Sequence, residues 1–504
     1  MKILKQFSVA VAGLLVLTLA ACSGPSGSLL EKVPASTDVV AVIDADAILK
    51  SADIATDGNK IVLPEYIQKF VSPHDMERNA AILDNAGAVD LRQIVITVNF
   101  ESGRPAILFG LKDKDAFVGL LTDKGYEDFG ENSDYHLYSK YNDYIVIADN
   151  YAVVLSCDYD DEDFDAFDTV DAMLEQAKEG SIASSSKGKN LTGHTAAFVA
   201  RMPEEILNSP EFRQLRALNL PEAYFKSTFA GYADLSTDAV KGHLEVLDSD
   251  GKALNMYELG PEDLRVKPTK ISKKALRFIG ENEVFVAAAS IKDVPWDKFF
   301  EFYSSLMPGT QERMILTAIE PYISAIDGTV AFSAGPINGL EFAKNLRDVN
   351  RNPLKYFSMT ILVEMKDDKA SSTLRQLKTL ASGFGVPATG SDTDFSISLG
   401  EFGVYLKAED GTLVVSTRPI ATDGLDNSTV DNFAWGDWYS GIGIALNDKS
   451  LSLRDFNLEN YELSFSCYMN STNSVDGELE FKGGTGNGLI ERIIRTLVQA
   501  ESIE

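Results

Sequence analysis

What most narrows the folding of this chain is that its second half repeats the order of elements in its first. Asp38-Val39-Val40-Ala41-Val42-Ile43-Asp44 is a nearly unbroken apolar run with β-branched residues, the pattern of a buried strand. Asp44 or Asp46 can then cap a short helix carrying Ile48 and Leu49. Glu283-Val284-Phe285-Val286-Ala287-Ala288-Ala289-Ser290-Ile291 opens the second half in the same way and leads into a helix through Asp293 and Pro295. The alternating run Gln93 to Phe100 turns into Ala106 to Leu111, and Thr329 to Phe332 and Ser358 to Val363 are their counterparts. Each half then has a helix and three short strands, Tyr135–Tyr138, Tyr144–Ala148 and Ala152–Ser156 against Phe395–Leu399, Gly403–Leu406 and Thr412–Ser416. The closest local identity comes last, Val240-Lys241-Gly242-His243-Leu244-Glu245-Val246 against Val475-Asp476-Gly477-Glu478-Leu479-Glu480-Phe481. This order predicts an α+β fold of two tandem similar domains made by internal duplication, each a mainly antiparallel sheet partly covered by helices.

The first repeat domain spans 31–255 and the second 275–504, with a polar linker over 256–274 that contains Pro261 and Pro268. A final stripe of Leu489, Ile490, Ile493, Ile494, Leu497 and Val498 has helical spacing. Its polar face is not rich in lysine, so it reads as core packing and not as a membrane-surface helix.

The other informative stretch is at the start. Lys2 and Lys5 precede an apolar core from Val9 to Leu19, too short for a comfortable membrane span, and Leu19-Ala20-Ala21-Cys22 follows. This is the layout of a bacterial lipoprotein signal: 1–21 is removed, the Cys22 thiol carries diacylglycerol, and the acyl chains become the anchor. Ser-Gly-Pro-Ser-Gly-Ser over 23–28 has nothing to bury, so 22–30 reads as a flexible stalk. Residues 1–21 hold two lysines and no acid, so their loss moves the net charge from −29 to −31. Such a surface repels nucleic acid and anionic lipid heads, so neither is an expected partner.

No constellation of catalytic residues stands out. His74, His136, His194 and His243 are scattered through the first half, none within helical reach of another. No serine sits in Gly-x-Ser-x-Gly, and Ser184-Ser185-Ser186-Lys187 lies in a polar loop without the companion motifs of penicillin-recognising enzymes. Gly483-Gly484-Thr485-Gly486-Asn487-Gly488 joins a strand to a helix but lacks the last glycine of a dinucleotide fingerprint. Two patterns remain as candidates. Asp158, Asp160, Glu162, Asp163 and Asp165 offer hard oxygen ligands for calcium, weighed against a helix-capping acidic loop. Trp435, Trp438 and Tyr439 would stack a sugar ring if exposed and anchor a sheet if buried. Cys157 and Cys467 do not correspond in the repeat, which favours two buried thiols over a disulfide. No cofactor is expected.

A lipobox, a short stalk and a strand of the Pro-x-Ser/Thr-x-x-x-Val-x-x-Ile-Asp type, here Pro34 to Asp44, resemble a family of Bacteroidetes lipoproteins of unknown function, two-part chains after the lipobox. The resemblance implies fold and location and brings no functional residues. Similarity to lipoprotein sorting rules adds that Ser23 after the cysteine favours the outer membrane. The missing acidic cluster after Cys22 favours its periplasmic face over the cell surface. The expectation is a non-enzymatic, lipid-anchored envelope protein that binds or organises another envelope protein. The alternative is a glycan-binding or glycan-cleaving lipoprotein, resting on Trp435 to Tyr439 and the surplus of acids.

Overall fold

A computed structural model describes residues 28–69, 71, 73–99, 104–132, 134–156, 164–201, 226–259, 261–306, 309, 314, 317, 320–337, 353–366, 369–399, 402–420, 428–447 and 461–501. The fold is mixed α+β, built on an antiparallel sheet of 21 strands among these residues. The first half supplies β1 (Val39–Ile43), a separate hairpin of β2 (Ala55–Asp57) and β3 (Lys60–Val62), then β4 (Val89–Asn99), β5 (Arg104–Leu111) and β6 (Glu127–Glu131). It continues with β7 (His136–Lys140), β8 (Asp143–Ile147), β9 (Tyr151–Ser156), β10 (Ala196–Arg201), β11 (Thr228–Leu235) and β12 (Ala239–Leu247). In space these run β6-β7-β8-β9-β5-β4-β1-β10-β11-β12. The near-continuous apolar sequence of β1 follows from its place, paired on both edges with β4 and β10.

The second half supplies the short β13 (Lys267–Pro268), β14 (Phe285–Lys292), β15 (Ile326–Pro336), β16 (Phe357–Met365), β17 (Ala388–Gly390) and β18 (Asp394–Leu399). Then come β19 (Phe402–Glu409), β20 (Thr412–Ser416), β21 (Ser440–Leu446), β22 (Glu462–Met469) and β23 (Ser474–Lys482). Their order is β17-β18-β19-β20-β16-β15-β14-β21-β22-β23, the order of the first half strand for strand.

The sequence predicts two sheets; the strands form one. β12 pairs antiparallel with β23, with Gly242 opposite Gly477, Val240 opposite Leu479 and Leu244 opposite Val475. Under the sequence match that sets Val240 against Val475, each half therefore makes the same contacts to the other. Two separate sheets would each leave a long edge of unpaired N–H and C=O groups, and the joint removes both edges.

Helices and turns close one face over each half. Val40, Val42, Val95, Leu108 and Val199 pack under Leu29, Leu30, Ala166 and Val170. In the second half Val286, Ala331, Leu362 and Val414 pack under Leu276, Phe278, Ile279, Trp435 and Trp438. Burying such an aliphatic side chain contributes about 1.5–3 kcal/mol. The opposite face is apolar from strand to strand. One file of directly opposed residues runs Ala152, Phe109, Ile94, Ile43, Ala196 and Ala233. It passes Gly242 and Gly477 at the joint and continues through Cys467, Ile442, Ala287, Phe332, Ile361 and Val415.

The last helix of the second half crosses to the first. The helix Leu489–Glu501 follows β23 but packs on the helices Ala45–Ser51 and Glu65–Gln68 of the first half. Its Ile490 and Ile494 lie against Leu49, Tyr66 and Leu91, the core packing expected of this stripe. The approach is close: a Cβ on Gly488 would stand 2.2 Å from the Ser51 carbonyl oxygen. The turn Glu262–Leu264, in the connection between the halves, packs on the helix Trp296–Leu306 that follows it. Among the described residues no helix is long and apolar enough to cross a membrane.

Candidate functional site

Polar side chains gather on the sheet face between the two helical covers, where β11, β12, β22 and β23 meet. Register sets Tyr232 of β11 directly opposite His243 of β12, and His243 opposite Asp476 of β23. His194, two residues ahead of β10, stacks on the other side of Tyr232. The ring centroids of His194 and Tyr232 are 3.8 Å apart and nearly parallel, and those of Tyr232 and His243 are 5.1 Å apart. A carboxylate holds each imidazole: His194 Nδ1 lies 2.9 Å from Asp234 and His243 Nδ1 lies 2.7 Å from Asp476. Burial pushes the Tyr232 hydroxyl above its ordinary pKa, and the charges of Asp234, Asp476 and Glu245 add to this. Among the described residues no serine, threonine or cysteine side chain hydrogen-bonds either imidazole, so no nucleophile is paired with a base here. On the other side of the joint centre Lys241 pairs with Glu478 at 3.2 Å, so a cross-strand polar pair flanks Gly242–Gly477 on each side.

Two clefts open on this layer. One, of about 460 Å³, is lined by Asp44, Arg92, Gln93, His194 and Asp234. Burial raises the pKa of Asp44, opposed by a hydrogen bond from the Ala47 N–H. The other, of about 450 Å³, is lined by Phe433, Trp438, Glu462, Tyr468, Glu478 and Glu480. A third polar group is closed. Glu283, 1% exposed, accepts hydrogen bonds from Ser333, from Thr360 at 2.9 Å and from Arg418 at 2.8 Å. That network fastens β14, β15 and β16 to the segment after β20 and leaves its carboxylate no room for a ligand.

Cys22, Cys157, Asp158, Asp160, Glu162 and Asp163 lie outside the described residues. Asp165 caps the helix Ala166–Glu179, accepting from the backbone N–H of Phe167 and Asp168. No group of three or more His, Cys, Asp or Glu placed to hold a metal occurs among the described residues. Trp435 and Trp438 are 0% and 4% exposed. Trp438 lies flat on Tyr468 with centroids 4.3 Å apart, and the Trp435 Nε1–H donates to the Thr429 carbonyl at 3.0 Å. The two indoles thus anchor the sheet and offer no open face to a sugar. Tyr439 is half-buried and already covered by Lys270, whose Nζ is 3.5 Å from the ring centre. Cys467 is a free thiol, its pKa pushed up by burial and by Asp476.

The glycine-rich loop before the last helix is filled from within: the Glu491 carboxylate accepts from the Asn487 N–H at 2.7 Å, where an anion would bind. Ser184 donates to the Ser181 carbonyl and makes no catalytic pair. The feature missing from the sequence reading is the His194–Tyr232–His243 stack. Its members are up to 49 positions apart in the sequence, and only the strand register brings them together.

No protein-family model matches the chain, and no curated protein matches it. Among solved structures, three crystal forms of TP0453 are similar. Form IV has a TM-score of 0.28 at 10% identity and covers 43% of this chain and 79% of that one. Form I gives 0.27 at 13%, covering 46% and 82%. Form III gives 0.28 at 13%, covering 46% and 84%. A likeness at that level carries no argument about fold or role.

Proposed function

We propose that this is a lipid-anchored cell-envelope protein, tethered through Cys22 at the periplasmic face of the outer membrane, that binds or organises another envelope protein without catalysing a reaction. Its body is a duplicated unit whose halves face each other across β12 and β23. The observation that carries the reading is that joint, which turns two halves of like strand order into one broad two-faced sheet, a shape suited to presenting surface. The histidines at the joint support it, since Asp234 and Asp476 hold them in place as structural groups. The fitting test is crosslinking in cells and affinity capture, with a Cys22→Ala chain beside the native one and labelled palmitate fed to both. Label in the native chain alone, with a stoichiometric protein partner that depends on the anchor, is the expected result. An unlabelled native chain, or one recovered alone, overturns the reading.

The cleft beside Trp438 favours a second reading, glycan binding or cleavage, because Glu462, Glu478 and Glu480 line it together with Trp438 and Tyr468. Oligosaccharide binding lost in Glu478→Gln would support it; no binding across a broad glycan panel would remove it.

A further inference from the structure

The face opposite the polar joint is apolar across every central strand, but it is not covered evenly. Over the first half the helices Ala45–Ser51, Glu65–Gln68 and Leu489–Glu501 close it, and Ile43, Ile96, Ile107 and Phe109 belong to the cluster beneath. From β10 through the joint to β16 no helix among the described residues covers it. Phe198 is 37% exposed, Phe465 37%, Ile442 38%, Phe332 37% and Ile361 48%. Side chains of that size in one continuous patch mark an interaction surface.

We infer that this open face lies on the membrane, with its apolar side chains in the boundary between lipid headgroups and acyl chains. The inference rests on the lipid anchor proposed above, and three observations support it. The described chain begins at Ser28, six residues after Cys22, and an extended residue spans at most about 3.6 Å, so the stalk reaches roughly 20 Å. Leu29 hydrogen-bonds Gln93 on the opposite layer. A stalk of that reach keeps the body close to the bilayer. Charge is segregated as an interfacial protein requires: Asp234, Glu245, Asp476, Glu478 and Glu480 share the other face of the central strands, and this face carries none. Finally, strand pairing on both sides satisfies the backbone of these strands, so the face can enter an apolar medium without stranding polar groups.

The test uses the mature Cys22→Ala chain, which has no anchor of its own, floated with zwitterionic phosphatidylcholine vesicles. The expected result is co-flotation that falls at least tenfold in Ile361→Asp with Phe465→Asp. The milder Ile361→Ser with Phe465→Ser serves if the aspartates fail to fold by circular dichroism. No co-flotation, or co-flotation that the substitutions leave unchanged, overturns the inference. So does a concentration-dependent dimer that the same substitutions abolish, which would assign the face to a second copy of the chain. Palmitate labelling separates the two readings: label without co-flotation removes the membrane face alone, and co-flotation without label removes the anchor alone.

Discussion

Glu283 is taken out of water with one cation and two hydroxyls as its compensation. Removing one partner of a buried pair leaves the other charge unpaired, so Arg418→Ala is expected to destabilise the fold by about 3–5 kcal/mol. Glu283→Gln in the same chain should recover part of that loss, and urea denaturation of the two variants checks both. Lys112 is the reverse case, a cation without such a partner: burial lowers its pKa to about 8. The unfolded chain keeps that proton to about pH 10.4, so between about 8 and 10.4 folding releases a proton and stability rises with pH. Lys112→Met should lose this rise and be more stable than the native chain at neutral pH, measured as Tm across the range. Neither residue was legible as special in the sequence, because a lone Glu or Lys carries no sign of its burial. Trp435 and Trp438 show the same limit, since a Trp-Gly-Asp-Trp-Tyr string is equally suited to a sugar platform and to a core, and only their packing against Phe433 and Tyr468 decides.

Among the elements, the helix Leu489–Glu501 holds onto the opposite half through a few contacts that can be tested one at a time. Burial works against the charge on Glu491, but hydrogen bonds from the Asn487 N–H and from Arg495 outweigh it and hold the carboxyl below its ordinary pKa. A carboxylate so depressed contributes stability that is complete above the unfolded value, about 4.3, and is lost as pH falls through the folded one. Below about pH 4 the helix is therefore expected to loosen, and Glu491→Gln should flatten that acid limb, read by hydrogen exchange of the helix amides. Gly488→Ala should loosen it at every pH, because a Cβ there meets the Ser51 backbone. The existence of these elements was legible: alternation marked β4 and β5, and the stripe from Leu489 to Val498 marked the helix. Their partners were not. Periodicity says that a face is buried but not against what, and the surface that receives this helix lies more than 400 residues earlier in the chain.

For the whole molecule the question is whether the halves are separable units. The sequence repeat argues for separation and the sheet argues against it. The similarity between Val240–Val246 and Val475–Phe481 was legible as a repeat, yet nothing local reveals that the two similar strands pair with each other. A strand placed at the edge of one half needs a partner, and the corresponding edge of the other half supplies one with reciprocal register. The last helix reinforces the joint, since Leu489–Glu501 packs on the first half. Covalent continuity between the halves should then matter little once the chain has folded. A protease site placed in the exposed turn Asp248–Gly251 would cut between β12 and the second half without touching the joint. The two fragments are expected to elute together in size-exclusion chromatography and to melt in one transition close to that of the intact chain. Fragments that elute separately, or two distinct melting transitions, would mean that β12 and β23 are held together by the linker and not by their own pairing. The Ile490→Asp variant should then be cut into fragments that separate more readily than those of the native chain, because it weakens the packing of the last helix on the first half, which supports the β12–β23 pairing.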